Sequence, residues 1–370
     1  MRRNYGIDLL RIISMLMVII LHVMGHGNTI FSAPQGSINY YIFWFFEVLA
    51  FPAVNCFALV SGYVGFGRRK KKSSIIMLSA QALFYTLVFT ALECVLNGGF
   101  DKRNVLASVF SFREGGYWYF KAYLCAWFLF PCIDAAVEKL ERKQLKRIVS
   151  AMFIMLSIAP LVFFSDLFTT GLGYSPFWIL SLYFYGAYVK KYGLEQNKKP
   201  WKFRLLFLFT SIITWAGVML GCIYKISPLW QEYFLSFTSP MVVLAAVFLF
   251  YAYANKKTTA FGRFFIKLFA PVTFGVYLVH TQYVVWNMLE SKSMWIGKLD
   301  PIYAALAVLG VAAGVFLACA IVEYVRKLIF GITGISRLIK KADKRNNVGD
   351  DAHIVPENIH EKEKEYVDCR

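Results

Sequence analysis

The chain has 370 residues, of which 58% are hydrophobic, 18% aromatic and only 17% charged, and its mean hydropathy is +0.52. A soluble domain is about 45–50% apolar and about 25% charged, so this chain has too little charge to coat its own surface in water. Forty Lys and Arg against 22 Asp and Glu leave a formal charge of +18, which on so apolar a chain points to a polytopic membrane protein and away from a soluble nucleic-acid binder, whose basic residues gather on one wetted face.

A membrane-spanning helix needs about 20 mostly apolar residues. Ten such segments are predicted, at 7–26, 39–66, 73–96, 118–136, 148–168, 176–190, 205–224, 236–254, 268–289 and 301–325. The first follows Met1-Arg2-Arg3, as a signal peptide would, but Asp8 and Arg11 interrupt it. HGNTIFSAPQG, which follows it, is a poor cleavage site, so the helix is read as retained. The sixth is the shortest, yet FWILSLYFYGAYV is unbroken and aromatic. The fold class is therefore all-α, with a ten-helix transmembrane domain over 1–327. LIFGITGISRLIKKADKRNN then suggests a basic amphipathic helix lying on the membrane surface over 328–341. Residues 342–370 are polar and read as a disordered cytoplasmic tail, with His353 and His360 solvated in it.

The basic residues test this layout. With the N-terminus through Arg11 taken as cytoplasmic, the inner pieces carry three, five (68–72), five (139–147), six (190–204), four (256–267) and ten (326–370) basic residues. The other side holds Lys102, Arg103, Arg113, Lys121, Lys225, Lys292 and Lys298. Thirty-three of 40 on alternate loops is the positive-inside pattern. It places both termini in the cytoplasm and gives the inner loops attraction for anionic headgroups. The seven cysteines, at 56, 94, 125, 132, 222, 319 and 369, are odd in number and show no metal spacing. They read as small apolar fillers, with Cys125 and Cys132 spaced for packing on one helix, and no metal is expected.

Ionisable groups inside spanning helices are expensive and are functional candidates by default. Asp134 and Glu323 sit near inner ends, where they can reach headgroups, and Glu93 sits near an outer end. The first helix is different. Asp8 and Arg11, three apart, share a face and can pair. Arg11 and His22 are eleven apart, about three turns and about 16 Å of rise, so they face the same way at different depths. Spacing leaves His22 two readings: a hydrogen-bonder between helices, or a general base with a free lone pair near neutral pH. His26, one turn on, suits a proton path, a substrate contact or a structural role.

Five stretches, in order, resemble the integral membrane acyltransferases of family 3. NYGIDLLRIISMLMVIILH carries the arginine, ten residues, then the histidine of that family's first helix, here Arg11 and His22. NCFALVSGYVGF is similar to its Ser-Gly-aromatic motif, and GYWYFKAYLCAWFLFPCID to its aromatic fourth helix ending in proline. FWILSLYFYGAYV and VTFGVYLVHTQYVV resemble its sixth helix and its late Tyr-Leu-x-His segment. The matches span about residues 4–325.

The resemblance implies an O-acyltransferase of the bacterial plasma membrane. It would move an acyl group, commonly acetyl from acetyl-CoA, to a hydroxyl of a carbohydrate or other cell-envelope acceptor. His22 would be the catalytic histidine and Arg11 its motif partner. Arg11 is too far along the helix from His22 to touch the reacting carbonyl, so it is assigned to donor phosphate or pantetheine, or to pairing with Asp8. Arg68, Arg69, Lys71 and Lys72 stand where some relatives carry Arg-x-x-Arg. They read either as a dock for coenzyme A phosphates or as a positive-inside anchor. Glu47, Tyr277 and His280 are candidate acceptor contacts, each with a structural alternative. Gly62 is expected to allow close helix packing, with Ser61 bonding across helices. The competing readings are a polysaccharide or small-molecule transporter, which an inverted repeat would favour, and a non-catalytic scaffold, which leaves the Arg11–His22 spacing unexplained.

Overall fold

In the computed structural model, residues 3–96, 99, 116–193, 199–254 and 256–350 are described. Arg2, Lys102, Arg103, Arg113, Lys198, Cys369 and the tail from 351, with His353 and His360, lie outside them. The described residues form helices and no strands. The labelled ones are α1 Tyr5–Met24, α2 Ile38–Ala50, α3 Ala53–Gly65, α4 Lys72–Leu96, α5 Trp118–Lys139 and α6 Arg142–Phe163. They continue with α7 Pro176–Tyr192, α8 Pro200–Ile223, α9 Pro240–Ala254, α10 Ala260–His280, α11 Pro301–Ile332 and α12 Ile335–Asp350.

Among the described residues, eight segments are long and apolar enough to cross a membrane, counting α2 and α3 as one 28-residue span bent at Phe51–Pro52. The predicted sixth and eighth spans are present as α7 and α9, but with 17 and 15 residues. At 1.5 Å per residue these measure about 26 and about 23 Å, short of an apolar layer about 30 Å thick. The chain before α9 explains its shortness. A short helix, Pro228–Phe234, ends before 235–239, where irregular backbone is buried in protein. Such backbone survives at membrane depth only where protein supplies its hydrogen bonds. Asn55, midway along the bent α2–α3 span, does so. Its Nδ2 donates to the Phe237 carbonyl at 2.7 Å, while its Oδ1 accepts from Trp178 Nε1 at 2.9 Å.

Other boundaries also moved. The predicted ninth span, 268–289, is instead Ala260–His280, with a separate short helix at Tyr283–Leu289. The last helix runs on to Ile332, so residues 328–332 continue α11. The next helix occupies Ile335–Asp350 and takes in the first residues of the expected tail.

α1 is the hub, packed against α2, α3, α9, α10 and α11. Its start is anchored by Asn4, whose Oδ1 caps the backbone N–H groups of Gly6 and Ile7 and whose Nδ2 donates to Ala254 O. A Cβ on Gly6 would lie 2.0 Å from the Tyr253 carbonyl oxygen, so only glycine lets α1 sit this close to α9. The tightest helix crossing is α3 on α7. A Cβ on Gly62 would lie 2.0 Å from Tyr183 O, and one on Gly186 2.2 Å from Leu59 O. Small residues permit such an approach, and dispersion then holds helices together where apolar burial gives no preference over lipid.

Of three carboxylates expected at the membrane surfaces, two have partners inside the protein. Asp134 accepts from Lys70 Nζ at 2.7 Å and from the Tyr183 hydroxyl at 2.8 Å. Glu323 is 1% exposed; it pairs with Arg326 at 2.7 Å and accepts from the Tyr85 hydroxyl. Both satisfy their charge inside the bundle instead of snorkelling. The third, Glu93, lines the central cavity described below. Ser61 donates to Phe57 O in its own helix and also meets the Tyr123 hydroxyl of α5 across helices. Cys125 and Cys132 are exposed rather than packed inside, and the six described cysteines are free thiols.

Candidate active site

Helical periodicity puts Arg11, Met15, Val18 and His22 on one face of α1, and that face, with His26 in the turn that follows, forms one wall of a cavity of about 1160 Å³. Ligand sites commonly measure about 300–1,000 Å³, so there is room for a substrate of two parts. The opposite walls come from α2 and α3 (Glu47, Val54, Phe57, Ser61), α4 (Thr86, Thr90, Glu93), α5 (Trp118, Tyr119, Tyr123) and α10 (Phe274, Tyr277). The turn after α10 adds Gln282, Trp286 and Glu290.

The cavity is electrically polarised along α1. Near the start of the helix stands Arg11, with Arg68 close enough to act on its charge. Asp8 partly offsets Arg11 at 3.4 Å, as the i,i+3 spacing predicts, but Asp8 is held more closely by Arg3 at 2.6 Å. Near the far end stand Glu93 and Glu290. Glu47 lines the same space, and its Oε2 is buried without a hydrogen-bond partner among the described residues. Tyr174, on the loop before α7, also lines it. Burial first, and the Glu47 charge second, push its hydroxyl above the ordinary tyrosine value, so it stays a neutral donor. Aromatic rings surround the carboxylates: Trp118 lies 4.4 Å from Tyr174 and stacks with Phe237.

His22 sits between these ends. Its ring centre is 4.7 Å from Trp286, edge-on, and 5.0 Å from His280. Trp286 also stacks on His26 at 3.9 Å, and the Trp286 carbonyl oxygen is 2.9 Å from His26 Nε2. His26 is thus tied to the cavity rim through a tryptophan.

The structure brings Arg11, His22, Glu47 and Tyr277 to one cavity. The Tyr277 hydroxyl is buried without a partner among the described residues, as is that of Tyr119. Two groups of candidates are elsewhere. His280, expected as an acceptor contact, is 0% exposed and lies behind His22, off the cavity wall. Arg68, Arg69, Lys71 and Lys72 are exposed on the α3–α4 turn and do not line the cavity. Of that basic run, Lys70 is the one turned inward, to Gly65 O, Asp134 and Tyr183. Sequence reasoning missed Trp286, Glu290, Trp118 and Tyr119, and had set Glu93 aside. Clustered aromatics in GYWYF and QYVVWN were the available signal.

A family model described as an acyltransferase domain matches residues 4–323. No curated protein and no solved structure matches the chain.

Proposed function

The chain belongs to this acyltransferase family and is a multi-pass membrane acyltransferase; from that premise we propose that it moves an acyl group, commonly acetyl, from acyl-CoA to a hydroxyl of a carbohydrate or other cell-envelope acceptor in a bacterial plasma membrane. One observation carries the proposal: Arg11 and His22 share a cavity that is cationic at one end and carboxylate- and aromatic-lined at the other. Coenzyme A is a polyanion on a long arm, and it suits the Arg11 end. Its phosphates dock on Arg68, Arg69, Lys71 and Lys72, and its pantetheine arm passes Arg11. A glycan, with apolar ring faces and many hydroxyls, suits the end lined by Trp118, Tyr174, Glu47 and Glu93.

His22 acts as the general base. Its lone pair takes the acceptor hydroxyl proton as that oxygen bonds to the thioester carbonyl carbon. The carbonyl π electrons move onto oxygen, where the free Tyr277 hydroxyl donates to the oxyanion. Collapse re-forms the C=O, breaks the C–S bond, and the imidazolium returns the proton to the thiolate. The products are ester and coenzyme A thiol. Positioned proton transfer of this kind contributes about 10²–10⁴ in rate.

The test uses purified protein, labelled acetyl-CoA and a panel of envelope glycans. Label is expected in ester linkage on one glycan, and His22→Ala should abolish transfer while the protein stays folded. Full transfer by His22→Ala would refute the mechanism. Glycan crossing sealed vesicles with no label moved would replace it with an exporter.

A further inference from the structure

His280 is fully buried, and one of its nitrogens is spoken for: Nδ1 lies 2.6 Å from the Val276 carbonyl oxygen, one turn back on α10. A carbonyl only accepts, so Nδ1 carries the hydrogen, and a neutral ring then has its lone pair on Nε2. That Nε2 is buried with no partner among the described residues. Its ring neighbour is His22, whose Nδ1 is also buried with no partner among the described residues. The ring centres are 5.0 Å apart and the planes tilted by 34°, a separation at which ring orientation decides whether a nitrogen of each comes within hydrogen-bond reach. An unmade bond at a buried polar atom costs about 1–3 kcal/mol; here two neighbouring rings each carry one such atom.

We propose that His280 is a positioning residue for His22: its Nε2 accepts the Nδ1–H of His22 and holds that ring in the tautomer whose Nε2 lone pair faces the cavity. A free imidazole in water favours hydrogen on Nε2, which would leave the cavity with a donor where the reaction needs an acceptor. When His22 takes up the acceptor proton, it becomes an imidazolium with hydrogen on both nitrogens. The Nδ1–H···Nε2 bond to His280 then becomes charge-assisted and stronger. The Val276 carbonyl, acting through His280, is the outermost member of the chain. This inference rests on the reading of His22 as the base.

The tautomer can be read without turnover. The protein has five histidines, so the full chain labelled with ¹⁵N-histidine in lipid nanodiscs gives few ring-nitrogen signals, and His22→Ala assigns the pair in question. His22 is expected to carry its hydrogen on Nδ1. In His280→Leu it should shift toward Nε2–H; in His280→Gln, whose side-chain oxygen replaces the acceptor, it should stay on Nδ1. With labelled acetyl-CoA and the glycan that accepts label, His280→Leu should lower kcat about 10²-fold with KM for acetyl-CoA unchanged, and His280→Gln should recover most of it. Hydrogen on Nε2 of His22 in the unsubstituted protein would overturn the proposal, with no variant needed. So would an unchanged tautomer in His280→Leu. If the acyltransfer reading failed instead, no label would move in the unsubstituted protein, whatever its tautomer.

Discussion

At the scale of single residues, Arg11 and His22 were legible because helical periodicity is local: eleven residues return a side chain to the same face whatever surrounds it. Arg11 offers the amide carbonyls of a pantetheine arm a planar fork of donors, and lysine offers only a point charge. Arg11→Lys is therefore expected to raise KM for acetyl-CoA about tenfold with a smaller change in kcat, measured by steady-state transfer. Asn55 had no assigned role in the sequence, because its two partners lie 123 and 182 residues away. Replacing it with alanine leaves the Trp178 N–H and the Phe237 carbonyl unpaired in a buried site. Asn55→Ala should destabilise the protein by about 1–3 kcal/mol, read as a lower melting temperature in detergent. Phe237 lines the cavity, so acceptor KM should rise as well.

At the scale of elements, the crossing of α3 and α7 depends on glycine for space, not for backbone freedom. Gly62→Ala places a methyl group against the Tyr183 carbonyl, and the helices must part. A loss of about 1–3 kcal/mol is expected, while the same change at Gly310, where a Cβ meets nothing within 4 Å, should be silent in the same thermal assay. The docking of α12 onto the start of α4 is a second element-scale case. Ser73 gives its backbone N–H and its hydroxyl to Asp343, at 2.9 and 2.5 Å. These bonds, with Lys71 and Arg69 nearby, hold the Asp343 carboxyl below its ordinary value of 3.8. A depressed carboxyl stabilises the folded form above its unfolded value and ceases to as pH falls through the folded one. Hydrogen exchange along α12 should therefore be constant from pH 7 down to about 4 once corrected for intrinsic rates, and rise below that. Asp343→Asn should show the faster exchange already at neutral pH.

At the scale of the whole molecule, the charge of +18 is mainly a record of topology. The 33-to-7 division of basic residues predicts both termini on the cytoplasmic side. A fluorescent protein fused to the C-terminus should therefore fluoresce, and an alkaline phosphatase fused there should be inactive. The reverse pair of results would refute the orientation. With that predicted orientation, the Arg11 end of the cavity would face the cytoplasm, the side from which the proposed acyl-CoA donor would enter.

Between them these scales separate what was encoded locally from what was not. The all-α class, the helical segments and the common face of Arg11 and His22 followed from the sequence by itself. In an apolar medium each backbone group must be satisfied within its own segment, so apolar runs become helices wherever they occur. What only the tertiary structure decided is which ionisable groups meet. Asp134 pairs with Lys70 across 64 residues, Glu323 with Tyr85 across 238, and Glu93 lines the same cavity as His22. His280 lies fully buried beside His22. Those outcomes depend on which helices are neighbours and how closely their small residues let them approach, and no local periodicity carries that information.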